Sequence, residues 1–556
     1  METTRRAALR GVAAIVGTLI LVSAAPPPQA GSAVVAADHV LASQAGREIL
    51  ARGGNAVDAA VAAALSAGVV QPAGSGLGGG GFAVGVPSGG EPFVLDFREE
   101  APAAATRDMY LRDGEAQPDL SRVGGLAVAV PAEPLGLAKL VQDHGLLSLA
   151  QVAGPAIRQA RRGFEVGAHL GGSLSRTAFP SVQQVFSTSD GVAAVGDVVR
   201  RPDLARTLRA WSRSDGRALH EGTAAQAIVD QVRADGGLLT VEDLGGIAPV
   251  EREPEVGTFR GYTVVTMPPP SSGGIALLQL LSALEPHDLV ALGHNSSGYL
   301  HVLAEAMKHV YADRAHHLGD PDFVEIPRAR LRSPKRIGAI RDAFDPTRTF
   351  ETSFYGDPIT PPEDAGTQHI SVIDRDGFGV ALTTTINTSF GSGVVVPKLG
   401  LLLNNEMDDF AAAPGVPNAF GLVGTEANSI APGKRPLSSM TPTVVLDGDG
   451  EVVLVVGASG GSTIISGTLQ VLLNVLVFEM DPQEAVAAGR MHHQWLPDVL
   501  WLEPEMPRDV VEALEAKGHR TTVRPGFSAV QAVHVTDEQV VGGADPRKGG
   551  WPASIR

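Results

Sequence analysis

The strand-dense block that begins at Thr367 constrains the fold of this chain more than any other feature. Residues 369–374, 379–386, 401–405, 441–446 and 451–457 read as strands, and a helix follows at 463–480. The stretch from about 130 to 250 reads instead as helix, punctuated by Gly and Pro. Ahead of it, a helical pattern runs from Ser43 to the Gly53-Gly54 stop, and Asn55 caps a second helix from Ala56 to about Gly68, with Asp58 in its first turn. Phe93–Phe97 and Tyr262–Thr266 read as strands, and Tyr299 to His316 as a long helix. Neither half holds a self-sufficient strand set. Both therefore contribute to one compact domain in which helices pack on sheets. About Phe350 to Gly366 is polar and Pro-rich, the composition of an exposed, cleavable connector.

The chain has 556 residues, of which 44% are hydrophobic and 19% charged, ordinary for a packed globular protein. Its formal net charge of −17 argues against nucleic acid or an anionic membrane as partner, and an anionic small substrate would need a local cation to hold it. The absence of cysteine excludes disulfides, thiol nucleophiles and zinc–thiolate sites. Arg5, Arg6 and Arg10 precede an apolar run, Gly11 to Ala25, that is too short for a comfortable membrane span. With the small residues Val22-Ser23-Ala24 and the following Pro26-Pro27-Pro28, this reads as a cleavable export signal over residues 1–25, its end between 24 and 30. The Arg5-Arg6 pair hints at twin-arginine export in surroundings that match weakly. The expected destination is the periplasm, the cell envelope or the extracellular space, with no stable membrane insertion.

Thr367 follows Gly366 and opens a strand. If the chain broke there, the threonine would carry both an attacking hydroxyl and its own base, an α-amine with a pKa of about 8. Gly74-Ser75-Gly76-Leu77-Gly78-Gly79 matches the dinucleotide fingerprint in form, yet it follows a helix and Gln71-Pro72 and precedes a strand. It reads as a tight loop where backbone packs on backbone. His492-His493 beside Trp495 lacks a completing ligand set and reads as structural. Val452 to Gly461 and the residues after it run strand, glycine turn, helix start. Alone this is a plain glycine turn; beside a nucleophile its amides could hold an oxyanion, worth about 3–4 kcal/mol per donor. Arg98 ends a strand, Asn387, Glu406 and Asp409 are acceptors close to the nucleophile strand, and Ser438-Ser439 add hydroxyls. Together they describe a pocket for a zwitterionic amino-acid head group, with Arg for the carboxylate and acceptors for the amine. No residue set calls for a metal or cofactor.

These residues sit in longer runs. Asn55-Ala56-Val57-Asp58-Ala59, Asp96-Phe97-Arg98-Glu99, Met267 to Gly274, Tyr311-Ala312-Asp313-Arg314 and Leu318-Gly319-Asp320-Pro321 precede the nucleophile. Thr367-x-His369-x-Ser371, Asn404-Asn405-x-Met407-Asp408-Asp409-Phe410, Lys434 to Met440, Gly460-Gly461-Ser462 and His492 to Asp498 follow it. In these runs the chain resembles the γ-glutamyltransferase family of N-terminal-nucleophile hydrolases over nearly all its length after the signal.

The resemblance implies a mixed α/β (α+β) fold, a four-layer αββα sandwich built from both products of a self-cleaved precursor: a large subunit, 31–366, and a small one, 367–556. Cleavage would fall between Gly366 and Thr367. Thr367 would be the nucleophile of cleavage and catalysis, with Thr385 hydrogen-bonding its new terminus. Arg98, helped by Ser438 and Ser439, would bind the γ-glutamyl α-carboxylate, and Asn387, Glu406 and Asp409 its α-amine. Gly460 and Gly461 would form the oxyanion hole. The implied substrates are glutathione and related γ-glutamyl compounds, with water, amino acids or peptides as acceptors. A cephalosporin (glutaryl) acylase or a poly-γ-glutamate processing enzyme on the same fold is the alternative reading, and an uncleaved binding relative the alternative of another class. Three positions depart from the family pattern: Gln368 where a small residue is usual, Phe378 in the Asp-Gly turn, and Phe420, in a lid segment 411–424, where many members carry Tyr. Phe covers a pocket but cannot donate the tyrosine's hydrogen bond.

Overall fold

The computed structural model describes residues 29–356, 366–411, 425–537 and 539–556. The N-terminal apolar run, the connector residues 357–365 and the lid position Phe420 lie outside the described residues. Two seven-stranded sheets organise the molecule. In spatial order the first contains Val250–Arg252, Phe93–Phe97, Gly80–Val86, Gly379–Thr385, Gln368–Ile373, Ala33–Ala37 and Ala553–Ile555. The second contains Gln29–Gly31, Val540–Ala544, Ala529–Val535, Val452–Ser459, Thr443–Leu446, Tyr262–Thr266 and Glu255–Phe259. Neighbouring strands in both sheets are antiparallel. Each sheet takes strands from both sides of residue 367, as the strand counts of the two halves require.

Successive side chains of a strand point to opposite faces, and here both faces are buried. Ala33, Val35 and Ala37 enter one apolar core, together with residues of the helices Val40–Ala51 and Ala56–Val70. Val34 and Ala36 enter the other, which lies between the sheets and reaches the helices Gly273–Leu284, Ser297–His317 and Ile464–Leu476. Strands 368–373 and 379–385 contact 452–459 across the inter-sheet space. Burial on both faces explains why Val452–Ser459 reads as a nearly unbroken apolar run.

The helix Ala56–Val70 is set by local chemistry. The Asn55 side chain accepts from the Asp58 amide, and Asp58 returns the bond to the Asn55 amide, each at 3.1 Å. Asn55 also donates to the His144 carbonyl at 2.6 Å, which ties the cap to a neighbouring segment. The preceding helix starts at Val40, three residues before the expected Ser43, because the His39 ring accepts from the Leu41 amide at 3.1 Å and serves as the cap.

The glycine-rich loop is a backbone-to-backbone contact. A Cβ on Gly78 would stand 2.0 Å from the Leu402 carbonyl oxygen, and one on Gly79 would stand 1.9 Å from that of Thr385. Among the elements that are shorter than expected, two have a visible cause. The strand at 401–405 covers only Leu401–Leu402, because the Asn404 side chain instead donates to the Gly78 and Ala129 carbonyls at 2.9 and 3.0 Å. The last helix of the strand block ends at Leu476, where Phe478 bonds back to Leu473 and Glu479 takes a φ of 54°.

Candidate active site

Thr367 is buried at the head of the strand Gln368–Ile373. Its hydroxyl folds back onto the carbonyl oxygen of Gly366, the residue whose peptide bond it would break. The Thr385 hydroxyl stands 3.2 Å from the Thr367 hydroxyl and 3.4 Å from the same carbonyl oxygen. Thr385 reaches it because it ends the adjacent antiparallel strand, in which Thr384 is opposite Gln368. The Asn387 amide donates to the Thr385 hydroxyl at 2.8 Å and fixes its orientation. Asn387 has a φ of 73°, a left-handed conformation that asparagine tolerates better than most residues. Its side chain donates to the Asn405 carbonyl at 3.0 Å.

One cavity is lined by Thr367, Thr385, Asn387, Arg98, Glu406, Asp409, Ser438, Ser439 and Gly461. The sequence expectations thus converge in space from four separate regions of the chain. Arg98 is part of the lining and is 1% exposed. The guanidinium binds Glu406 through one terminal nitrogen and Asp409 through the other, and its Nε donates to the Pro436 carbonyl at 3.2 Å. Burial opposes the Arg98 charge, but Glu406, Asp409 and Glu99 outweigh it and keep the guanidinium protonated. Burial likewise pushes the Glu406 and Asp409 carboxyls up, and Arg98 acts against that shift in both. A second Glu406 oxygen is buried without a hydrogen-bond partner, an acceptor held in reserve. The Ser438 hydroxyl accepts from the Met440 amide at 3.0 Å, which leaves its proton to donate, and Ser439 accepts from Arg314 at 3.2 Å.

The strand Val452–Ser459 ends in Gly460, φ 134°, and Gly461, φ 57°, before a short turn and the helix Ile464–Leu476. Amides at such a turn point along the positive end of the helix. A Cβ on Gly460 would lie 2.7 Å from the Phe527 carbonyl oxygen, so the turn is closed to larger residues on two grounds. Gly461 faces the cavity that holds Thr367, whereas Gly460 faces an adjoining cleft.

Sequence reasoning missed the support behind the candidate nucleophile. Lys548 donates to the Thr367 carbonyl oxygen at 2.6 Å and to the Ser459 hydroxyl at 2.7 Å, and pairs with Asp38 at 3.4 Å. Asp38 in turn accepts from Gln531 at 2.5 Å. These residues meet only through the sheet order, so no local pattern announces them. Gln368 fits by donating to the Gln71 carbonyl at 2.6 Å under the glycine-rich loop. Phe378 packs edge-on against Phe93, with ring centroids 6.2 Å apart.

The His492–His493 pair is hydrogen-bonded within the fold. His492 bonds Ser466 at 2.8 Å and Gln494 at 2.9 Å, and His493 bonds the Trp495 amide at 3.1 Å. His301, Glu305 and His519 bring three metal-type ligand atoms within 4.8 Å of one another. The Glu305 carboxylate, however, already accepts from Lys308, Thr349 and Tyr355, and the two rings bond each other at 2.7 Å. An ammonium therefore balances the carboxylate, and the group reads as a polar anchor for the segment that leads to the connector.

The chain matches the family model described as gamma-glutamyltranspeptidase over residues 42–555. It is 40% identical over 531 residues to the glutathione hydrolase proenzyme of Escherichia coli strain K12, covering 94% of this chain and 91% of that protein. It is 42% identical over 526 residues to the glutathione hydrolase proenzyme of Pseudomonas aeruginosa, covering 93% of each. Among solved structures, the cephalosporin acylase from Bacillus halodurans superimposes with a TM-score of 0.83 at 27% identity, covering 95% of this chain and 97% of that one. With a family match that runs nearly from end to end, this chain belongs to the gamma-glutamyltranspeptidase family.

Proposed function

We propose that this protein is a glutathione hydrolase and γ-glutamyltransferase that matures by cutting its own chain between Gly366 and Thr367. The observation that carries the reading is the Thr367 hydroxyl set against the Gly366 carbonyl, with Thr385 on the same oxygen. Attack of that hydroxyl on the Gly366 carbonyl carbon transfers the acyl group from nitrogen to oxygen, and water hydrolyses the ester. The products are a large subunit ending at Gly366 and a small one, 367–556. The two would remain one αββα sandwich of the N-terminal-nucleophile type, since strands of each subunit lie between strands of the other.

The freed amine of Thr367 then takes the proton of its own hydroxyl, which attacks the γ-carbonyl of the donor. The Lys548 ammonium, 2.6 Å from the Thr367 carbonyl oxygen, favours the neutral form of that amine. Gly460 and Gly461 amides receive the oxyanion. Arg98, with Ser438 and Ser439, takes the donor α-carboxylate, and Asn387, Glu406 and Asp409 take its α-ammonium. Arg98 binds both carboxylates, so a substrate carboxylate must share or displace one of them and leave it to the ammonium. The leaving amine departs, and water or an acceptor amine cleaves the γ-glutamyl-Thr367 ester.

A glutaryl amide lacks the α-ammonium, so the acceptors Glu406, Asp409 and Asn387 favour γ-glutamyl donors over the cephalosporin acylase reading. Turnover of glutathione against a glutaryl amide separates the two. The export signal and an envelope or extracellular location complete the proposal. Among the described residues no helix is long and apolar enough to cross a membrane.

Intact mass measurement tests the central step. Wild-type protein should give two masses that meet at the 366/367 bond, and Thr367→Ala a single uncut, inactive chain. A Thr367→Ala protein that still splits at this junction would remove Thr367 from the mechanism.

A further inference from the structure

A second concavity adjoins the donor pocket, and of its charges the steps above use Lys548 alone. Two hollows flank the Thr367 end of the nucleophile strand, one bordered by Gly366 and the other by Gly460. Both are walled by His169, Arg176 and Lys548, so they form one cleft with Lys548 at the reacting centre. The side chains along it include Arg176, Arg524, Arg547 and Lys548, and no Asp or Glu among the described residues. In a chain of formal charge −17, a wall with four cations and no carboxylate of its own stands out, although acids outside the lining pair with Arg547 and Lys548.

The four cations are not equivalent. Arg547 is committed to Glu503 and Asp545, Lys548 to Asp38, and the Arg524 guanidinium lies over the Trp501 ring at 4.0 Å. Arg176 is different. It ends the helix Ala168–Arg176, is exposed, and forms no ion pair with any described residue. Beside it, His169 presents a buried Nδ1 without a hydrogen-bond partner. The cleft therefore offers two unused polar groups one step beyond Lys548.

We propose that this cleft holds the departing and incoming amines of the reaction, and that Arg176 selects acceptors that carry a second carboxylate, such as acidic dipeptides. The inference rests on Thr367 as acyl carrier. An acceptor amine placed at the ester carbonyl keeps its first carboxylate near Lys548, and a side-chain carboxylate extends toward Arg176. The cations also lower the pKa of the incoming ammonium, so more of it is the neutral nucleophile, while they repel acceptors with basic side chains. In the transfer step the amine lone pair forms the new C–N bond, and the bond from the carbonyl carbon to the Thr367 hydroxyl oxygen breaks. The amine proton passes through the Thr367 α-amine to that oxygen.

The test uses mature enzyme, γ-glutamyl-p-nitroanilide as donor, and Glu-Gly and Gln-Gly at equal concentration as competing acceptors. The two dipeptides differ by one charge at nearly equal shape. Mass spectrometry of the two γ-glutamyl products gives a ratio that is independent of overall activity. Wild type should favour Glu-Gly by about threefold to fivefold at low salt, with the preference shrinking as ionic strength rises. Arg176→Ala should bring the ratio to about one, and Arg176→Lys, which keeps the charge, should retain most of it. A wild-type ratio at or below one, or an unchanged ratio in Arg176→Ala, overturns the proposal. Failure of wild type to release p-nitroaniline at all would instead remove the underlying reading of Thr367, so the two failures are distinguishable.

Discussion

At the residue scale, the donor pocket depends on one guanidinium that serves three acids. Arg98→Ala would leave Glu406 and Asp409 buried without their cation and strip the donor carboxylate of its partner. KM for γ-glutamyl donors should rise by at least about thirtyfold, the loss expected when one side of a buried charge pair is removed. Initial-rate kinetics check it; an unchanged KM takes Arg98 out of the pocket. Thr385 acts one atom further back. Thr385→Val keeps the shape but removes the hydroxyl that contacts both Thr367 and the Gly366 carbonyl, so self-cleavage should slow by about a hundredfold while the chain still folds. A time course of intact mass reads this directly. Much of the candidate site is visible in the sequence: Arg98, Thr367 and Gly460-Gly461 stand at a strand end or a glycine turn, Asn387 is an acceptor close by in sequence, and Thr385 comes from the family resemblance. Lys548 and Asp38 are not visible there. Their partners lie 181 and 510 residues away, and only the sheet order brings them together.

At the element scale, local chemistry decided what the sequence revealed. The strands Phe93–Phe97 and Tyr262–Thr266 have the expected bounds, and the helix from Ala56 follows from the Asn55–Asp58 cap. Side chains that satisfy backbone groups elsewhere were not legible in this way, and the expected strand at 401–405 stops where Asn404 begins to serve Gly78 and Ala129. The glycine-rich loop is where sequence and structure agree most usefully, since close backbone approach is its whole purpose. Gly79→Ala would drive a methyl into the Thr385 carbonyl, on the residue whose hydroxyl meets that of Thr367. It should destabilise the protein by about 3 kcal/mol and slow self-cleavage together, seen as a lowered Tm and a persistent uncut chain. A Tm within a degree of wild type would mean that the loop can move aside.

At the scale of the whole molecule, burial of titratable groups sets the pH of greatest stability. Burial pushes His39, His309 and His493 down to about 4, and His369 and His492 to about 3. Those rings are neutral when folded and take protons when unfolded, so their contribution is lost as pH falls below about 6.5. Burial pushes Glu133 up to about 8. This acid is protonated when folded and ionised when unfolded, so stability also falls as pH rises from about 4.5 toward 8, by up to about 1.4 kcal/mol per pH unit. Opposed slopes cancel at about pH 7, where the maximum Tm should lie, and Glu133→Gln should flatten the alkaline side alone, which thermal melts across pH 5–9 would register. A variant with the wild-type alkaline slope would show that Glu133 is already ionised. The interleaved sheets carry a separate expectation: after cleavage the two pieces should co-elute on gel filtration until denaturant melts the fold. Separation of native pieces would contradict the shared strand order.

The termini of that strand order have a consequence of their own. Gln29–Gly31 pairs with Val540–Ala544, and Ala33–Ala37 pairs with Ala553–Ile555, so the start and finish of the described chain are stitched side by side. Topologically the described chain is close to a closed ring, and the proposed self-cutting would open it at one point. A circular permutant that joins residue 556 to residue 29 by a short linker, and begins translation with Met followed by Thr367, should fold to the same architecture. Removal of its initiator methionine would expose the catalytic amine directly, yielding an active enzyme that never performs the cut.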